Sequence, residues 1–176
     1  MRKAGTSGGF VGVISDTHGL VRPEAIEALR GARLILHGGD IGSPDVLREL
    51  KRIAPVIAVR GNNDRDAWAK RIPEIVITDI GGARACVIHE ITRLHVDLAK
   101  ERIDVVVSGH SHRPSIDRRA ALFLNPGSAG PRRFSLPVTI ARLRVDARGI
   151  DAEIVPLGVA VTPRVVPRRA RHGRTP

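Results

Sequence analysis

The stretch Phe10-Val11-Gly12-Val13-Ile14-Ser15-Asp16-Thr17-His18-Gly19 decides how the chain folds. Residues 10–14 are an unbroken apolar run rich in β-branched side chains, which predicts a strand buried on both faces. Strands of that kind belong to parallel sheets, whose carboxyl ends share one edge. Asp16 and His18 therefore leave the sheet together at that edge, and Gly19 frees the backbone to turn away.

The same grammar repeats outward from there. A helix is predicted over 23–29, with Pro23 in its first turn and Ala25, Ile26 and Leu29 on one face. A strand over 33–37 runs into Gly38-Gly39-Asp40. A second helix covers 45–51, with Ser43-Pro44 as its cap and start. A third strand, 55–59, runs into Gly61-Asn62-Asn63-Asp64. This is a βαβαβ unit, with parallel strands and right-handed crossovers. The second half changes character. Residues 74–80 and 84–88 flank Gly81-Gly82 as a hairpin that ends at His89-Glu90. A short helix over 95–101 precedes a strand over 103–107, which leads into Gly109-His110-Ser111-His112. A strand over 121–124 leads into Asn125-Pro126-Gly127-Ser128, and 138–145 and 150–157 flank a turn as a final hairpin. The expectation is an α/β fold of two mixed sheets packed face to face, with helices on the outer faces.

With 176 residues the chain suffices for one domain with a substantial core, expected over 1–162. Aromatic residues are only 2%, so that core is aliphatic and offers few stacking platforms for bases. The net charge is +11, and Arg164, Arg168, Arg169, Arg171 and Arg174 crowd into residues 163–176 without one acid. That tail has little to bury and is expected to be disordered, with weak contact to a nucleic acid as the alternative to a solvated extension. Cys86 alone excludes an internal disulfide and reads as a buried side chain in a strand, in keeping with a reducing compartment. No apolar run has the length of a membrane span, and cytoplasmic is the default expectation. The apolar face of the last hairpin is compatible with self-association, without locating an interface.

Five motifs thus deliver carboxylates, imidazoles and an amide to one sheet edge. Carboxylate oxygen and imidazole nitrogen both suit Mn²⁺, Fe²⁺, Ni²⁺ or Zn²⁺. Two cations closer than about 4 Å repel unless anions lie between them, and Asp40 is the candidate to bridge such a pair. The candidate ligands are Asp16, His18, Asp40, Asn62, His89, His110 and His112. Asp64 reads as an acceptor behind the ligands or as a helix cap. His37 reads as a support for the site or as a satisfied core histidine. The glycine and hydroxyl of Asn125-Pro126-Gly127-Ser128 contact substrate or shape the wall, and Arg132 and Arg133 attract phosphate or form a solvated pair. Trp68 reads as a packing anchor, while His95 and His172 carry no signal.

On these residues the chain resembles the calcineurin-like metallophosphoesterases, most closely their small bacterial and archaeal phosphodiesterases. The shared pattern is Ser15-Asp16-Thr17-His18-Gly19, Gly39-Asp40, Gly61-Asn62-Asn63-Asp64, His89, Gly109-His110-Ser111-His112 and Asn125-Pro126-Gly127-Ser128, spread over roughly residues 10–158. The resemblance implies a four-layer αββα sandwich with two divalent metal ions, manganese being the usual activator in vitro. It implies that Asp16, His18 and His112 hold the first metal, that Asn62, His89 and His110 hold the second, and that Asp40 bridges them. The implied chemistry is hydrolysis of a small phosphodiester by a metal-activated hydroxide, with Asp40, Asn62 and His89 as the catalytic set. Two departures stand out. Larger relatives carry a histidine where this chain has Asn63, and the usual His-Gly is here His89-Glu90. They raise the alternatives of a phosphomonoesterase or a metal-binding interaction scaffold like the small retromer subunit, and the basic surface and arginine-rich tail raise that of a nuclease.

Overall fold

The computed structural model describes residues 9–158. The predicted basic tail at 163–176, with His172, lies outside the described residues. The fold is a four-layer αββα sandwich of two mixed five-stranded sheets.

The first sheet has the order β10-β9-β1-β2-β3. Its parallel half is β1 (Phe10–Ile14), β2 (Ala32–His37) and β3 (Val56–Ala58), joined by α1 (Pro23–Leu29) and α2 (Pro44–Lys51). The antiparallel half is the hairpin β9 (Thr139–Asp146) and β10 (Gly149–Pro156). Both helices start on proline. The Ser43 hydroxyl accepts from the Asp45 N–H at 3.2 Å and caps α2, as its sequence suggests. Ala25 and Leu29 of α1, with Val46 and Leu50 of α2, bury against Ile14, Ile35 and Ile140. Gly12 is required there, because a methyl group on it would overlap Leu29.

The second sheet has the order β4-β5-β6-β8-β7. Its elements are β4 (Ile75–Asp79), β5 (Arg84–Ile88), β6 (Val105–Val107), β7 (Ser115–Arg118) and β8 (Leu122–Asn125). The β4–β5 turn is fixed by the Asp79 carboxylate, which accepts from the N–H groups of Gly81 and Gly82 at 2.8 and 3.2 Å. Strands β5, β6 and β8 run parallel. β7 has no apolar alternation and lies at an edge, antiparallel to β8; charge on an edge strand deters pairing with other chains.

The inward faces interleave Val11, Val13, Leu36 and Leu143 with Val87, Val105, Val107 and Leu124 in one aliphatic core. The sheets register strand over strand. β10 meets β7, where Arg118 and Asp151 lie 3.6 Å apart, and the Arg60 N–H after β3 donates to Pro73 before β4. The exits of β1 and β2 consequently face the exits of β6 and β5.

The short helix expected over 95–101 does not form as a separate element. The Asp97 carboxylate accepts from the Ala99 and Lys100 N–H groups and starts a single turn. Arg102, at φ 51°, ends it at once, and the Ile103 N–H closes back on Leu98. That turn and the 3₁₀ turn Ile91–Arg93 lie on the outer side of the second sheet, where Leu94, Val96 and Leu98 pack against Cys86, Ile88 and Val106. No helix among the described residues is long and apolar enough to cross a membrane.

Candidate metal centre

Six parallel strands end at one edge, and the candidate ligands lie just beyond those ends. The backbone there is unusual. Asp16, His18, Asp40, His110 and His112 have φ between 47° and 68°, in the left-handed region. Such a conformation costs a non-glycine residue on the order of 1 kcal/mol, and it persists where the surroundings impose it. Here the surroundings are paired loops. Asp16, His18 and Gly19 donate their N–H groups to Gly39, Asp40 and Ile41 at 2.8–2.9 Å, continuing the β1–β2 pairing past the sheet edge.

Asp16 is fully buried. Its Oδ2 accepts from the Ser15 hydroxyl at 2.7 Å and from the His110 N–H at 3.1 Å. Its Oδ1 has no hydrogen-bond partner and faces His112 Nε2 at 3.2 Å. His18 Nε2 lies 3.4 Å from His112 Nε2 and 3.8 Å from Asp40 Oδ2. These atoms make a tight oxygen–nitrogen group with one buried, unpaired carboxylate oxygen, the donor set a divalent transition metal accepts. Burial holds the His18 imidazole below its ordinary pKa against the pull of Asp40, which favours the neutral ligand form.

A second group forms around His89. Its Nδ1 donates to the Gly38 carbonyl at 2.7 Å, which leaves Nε2 as the free donor atom. That Nε2 lies 3.1 Å from Asn62 Oδ1 and 3.5 Å from Asp40 Oδ1. His110 Nδ1 also approaches Asn62 Oδ1, at 3.0 Å. Asp40 thus has one oxygen toward His18 and the other toward His89, the placement expected of a bridge. Asp16 falls within both carboxylate–histidine groups, with His18 and His112 on one side and with Asp40 and His89 on the other. Burial raises the Asp40 pKa, but hydrogen bonding to His89 and to Asn63 outweighs it and holds the carboxyl far below the usual range. Burial lowers the pKa of His89, and the nearby Asp40 and Asp16 carboxylates reverse that and leave it raised.

Asn63 is where sequence reasoning missed a role. Its backbone N–H and side-chain amide donate to Asp40 Oδ1 and Oδ2 at 2.9 and 2.6 Å and fix the carboxylate from behind. Its position directly after the candidate ligand Asn62 is the only signal the sequence offers. Gly61 has to lack a side chain, because a methyl group there would overlap the Asp40 carboxylate. Asp64 is the acceptor it was expected to be, taking the N–H groups of Ile41, Gly42 and Gly61 at 2.8–3.0 Å. Ser128 and Asn125 are buried braces, with the hydroxyl on the Asp16 carbonyl at 3.0 Å and the amide on the Gly109 carbonyl at 2.8 Å. Both groups are committed to backbone carbonyls of the loops that carry Asp16 and His110. Arg133 brings a guanidinium nitrogen to 3.4 Å from His18 Nε2, and Trp68 packs on the helix-side core.

His37 joins core and site. Its Nδ1 accepts from the Gly39 N–H at 3.2 Å, so its Nε2 carries the proton and donates to the Thr17 hydroxyl at 3.0 Å. That hydroxyl passes a hydrogen bond on to the Ile41 carbonyl at 2.9 Å. Complete burial pushes the imidazole pKa down to about 4 from 6.5. The folded pKa lies below the unfolded one, so the stabilisation is full above pH 6.5 and is lost as pH falls toward 4. Between pH 7.5 and 5 this group alone should remove about 2 kcal/mol. Urea denaturation of chelator-treated protein at both pH values should show that loss in the wild type and its absence in His37→Gln. Parallel curves would refute a buried neutral His37.

A cavity of about 770 Å³ opens beside Asn62 and His89, with Arg60, Arg65, Lys70, Glu74, Glu90 and Arg93 among its walls. Neither the cavity nor its cations, scattered over 60–93, formed a sequence motif.

A family model for the calcineurin-like phosphoesterase superfamily domain matches residues 10–148. The chain is 39% identical to a probable metallophosphoesterase of Methanothermobacter thermautotrophicus over 165 residues, 86% of this chain and 95% of that protein. In structure it is similar to a novel archaeal phosphodiesterase, with TM-score 0.68 and 25% identity, covering 83% of this chain and 99% of the other. Vps29 of Chaetomium thermophilum shares the fold alone, with TM-score 0.65 and 20% identity over 83% of this chain and 96% of the other.

Proposed function

The chain belongs to the calcineurin-like phosphoesterase superfamily, and from that premise we propose that it hydrolyses phosphodiesters at a centre for two divalent cations. The placement of Asp40 carries the reading, with one carboxylate oxygen 3.8 Å from His18 and the other 3.5 Å from His89. Asp16, His18 and His112 would hold one cation, and Asn62, His89 and His110 the other, with Asp40 between them. When bound, such cations bring the pKa of water toward neutrality and offset charge on phosphoryl oxygens.

The chain's own residues do the rest. Asn63 keeps both oxygens of Asp40 in place, and the Gly38 carbonyl keeps His89 in one tautomer. Arg133 stands at the mouth, where its charge draws a phosphate anion. Water supplies the new oxygen to phosphorus, the ester P–O bond breaks, and the departing oxygen takes a proton to give an alcohol and a monoester. Ser128 is no candidate nucleophile, because its buried hydroxyl is committed to the Asp16 carbonyl. The Asn63 amide is committed to Asp40 and is no acid, which supports a preference for leaving groups that need little protonation.

The test compares bis(p-nitrophenyl) phosphate with p-nitrophenyl phosphate under Mn²⁺. The diester should be hydrolysed faster, with activity removed by chelator and restored by added metal. Silence of the metal-loaded protein on both esters would overturn the reading.

A further inference from the structure

The cavity beside Asn62 and His89 has a composition that simple diester hydrolysis does not require. We propose that it is a subsite for a second phosphate, so that the substrate class is a short phosphodiester carrying a terminal phosphate, such as a 5′-phosphorylated dinucleotide. This inference rests on the phosphodiesterase reading and specifies its substrate.

Position comes first. Asn62 and His89 form one wall, so an ester held at the centre has one arm directed into the cavity. Its volume of about 770 Å³ falls within the range of small-molecule sites and far exceeds the needs of a lone phosphate.

Charge comes next. Arg60 is neutralised by Glu74 at 2.7 Å. Arg65, Lys70 and Arg93 form no ion pair among the described residues, although all three line the cavity. Arg65 is also anchored, because its Nε donates to the Asn62 carbonyl at 2.9 Å. Its terminal amino groups remain available beside a candidate ligand, in the fork that suits phosphate oxygens. Glu90 opposes these cations. It directly follows His89, and its carboxylate accepts from the Thr92 hydroxyl at 2.8 Å. A negative charge next to the centre disfavours a monoester dianion there, and the three exposed cations attract an anion elsewhere along the cavity wall.

The remaining wall is Ile75, Ile88, Val96 and the exposed His95, with no phenylalanine or tryptophan. A sugar or base can lie against it with no indole or phenyl ring to stack on. Recognition then depends on the terminal phosphate and is nearly indifferent to the base.

The experiment uses full-length, manganese-loaded protein and slowly hydrolysed phosphorothioate-linked diadenosine, with and without a 5′-phosphate. In calorimetric titration the 5′-phosphorylated ligand should bind about tenfold more tightly. In the double variant Lys70→Ala/Arg93→Ala the two affinities should come within about twofold of each other. Both side chains are exposed, and matching circular dichroism will establish that the variant is folded. Equal affinities in the wild type, or a gap that survives the double substitution, would overturn the subsite. Bis(p-nitrophenyl) phosphate turnover measured alongside judges the parent reading separately. A tenfold gap without turnover keeps the anion subsite and removes the hydrolase.

Discussion

Asp40→Ala should lower metal-dependent diester hydrolysis by about a thousandfold, the equivalent of on the order of 4 kcal/mol of transition-state stabilisation. Asp40 is the only carboxylate with one oxygen facing His18 and the other facing His89 among the described residues. Removing it leaves Asp16 as the one carboxylate shared by the two groups, and two dications with less negative charge between them repel strongly. Metal analysis after dialysis should therefore show a reduced metal-to-protein ratio as well as lost turnover. The alanine also releases the Asn63 backbone and side-chain donors, so Asp40→Asn is the sharper partner variant. It keeps the size and one acceptor oxygen, and it removes the charge and the acceptor for one of the two Asn63 donors. Both variants should keep a wild-type circular dichroism spectrum, because the core strands do not depend on Asp40. Near-wild-type turnover of either variant, with metal present, would dismiss Asp40 as the bridge.

Asp64→Asn should destabilise the fold by about 3 kcal/mol, through a different cause. The Asp64 carboxylate is 4% exposed and accepts three backbone N–H groups, those of Ile41, Gly42 and Gly61. Bonds to an ionised acceptor are the stronger kind, and an asparagine can satisfy only part of this set. Its amide hydrogens would meet a backbone N–H that needs an acceptor. Since Ile41 follows Asp40 and Gly61 precedes Asn62, the loss also loosens two candidate ligands. Urea midpoints should fall and the affinity for Mn²⁺ should weaken together. Asp66→Asn, an exposed carboxylate on the same segment, is the control and should change neither. A change below about 0.5 kcal/mol at Asp64 would show that these bonds are replaceable.

The sequence made most of this architecture legible because burial leaves a periodic trace. The runs at 10–14 and 84–88 are strands at the expected positions, and Ser43-Pro44 starts a helix where the capping chemistry predicts one. The candidate ligands were legible for a related reason, since each stands just past an apolar run. What escaped has no such trace. Ser115–Arg118 is an exposed edge strand whose partners are backbone atoms, so its side chains carry charge and show no pattern. The turn after Asp97 is ended by the left-handed backbone of Arg102, which an arginine does not advertise. The grip of Asn63 on Asp40 joins the loops after two neighbouring strands of the first sheet, and the cavity that Arg65, Lys70 and Arg93 line draws on loops from both sheets. Contacts of that kind depend on three-dimensional registration, and no window along the chain contains it.

The five left-handed residues at the sheet edge have a consequence for how such a protein can change over generations. Each is a side chain kept where glycine would rest more comfortably. Replacement by glycine would relieve the strain and remove a candidate ligand in one step, at the cost of the hydrogen bonds that Asp16 and Asp40 accept. Drift at this edge therefore trades backbone strain against lost hydrogen bonds, and a chain that lets go of one such residue keeps its sheets but not its donor set.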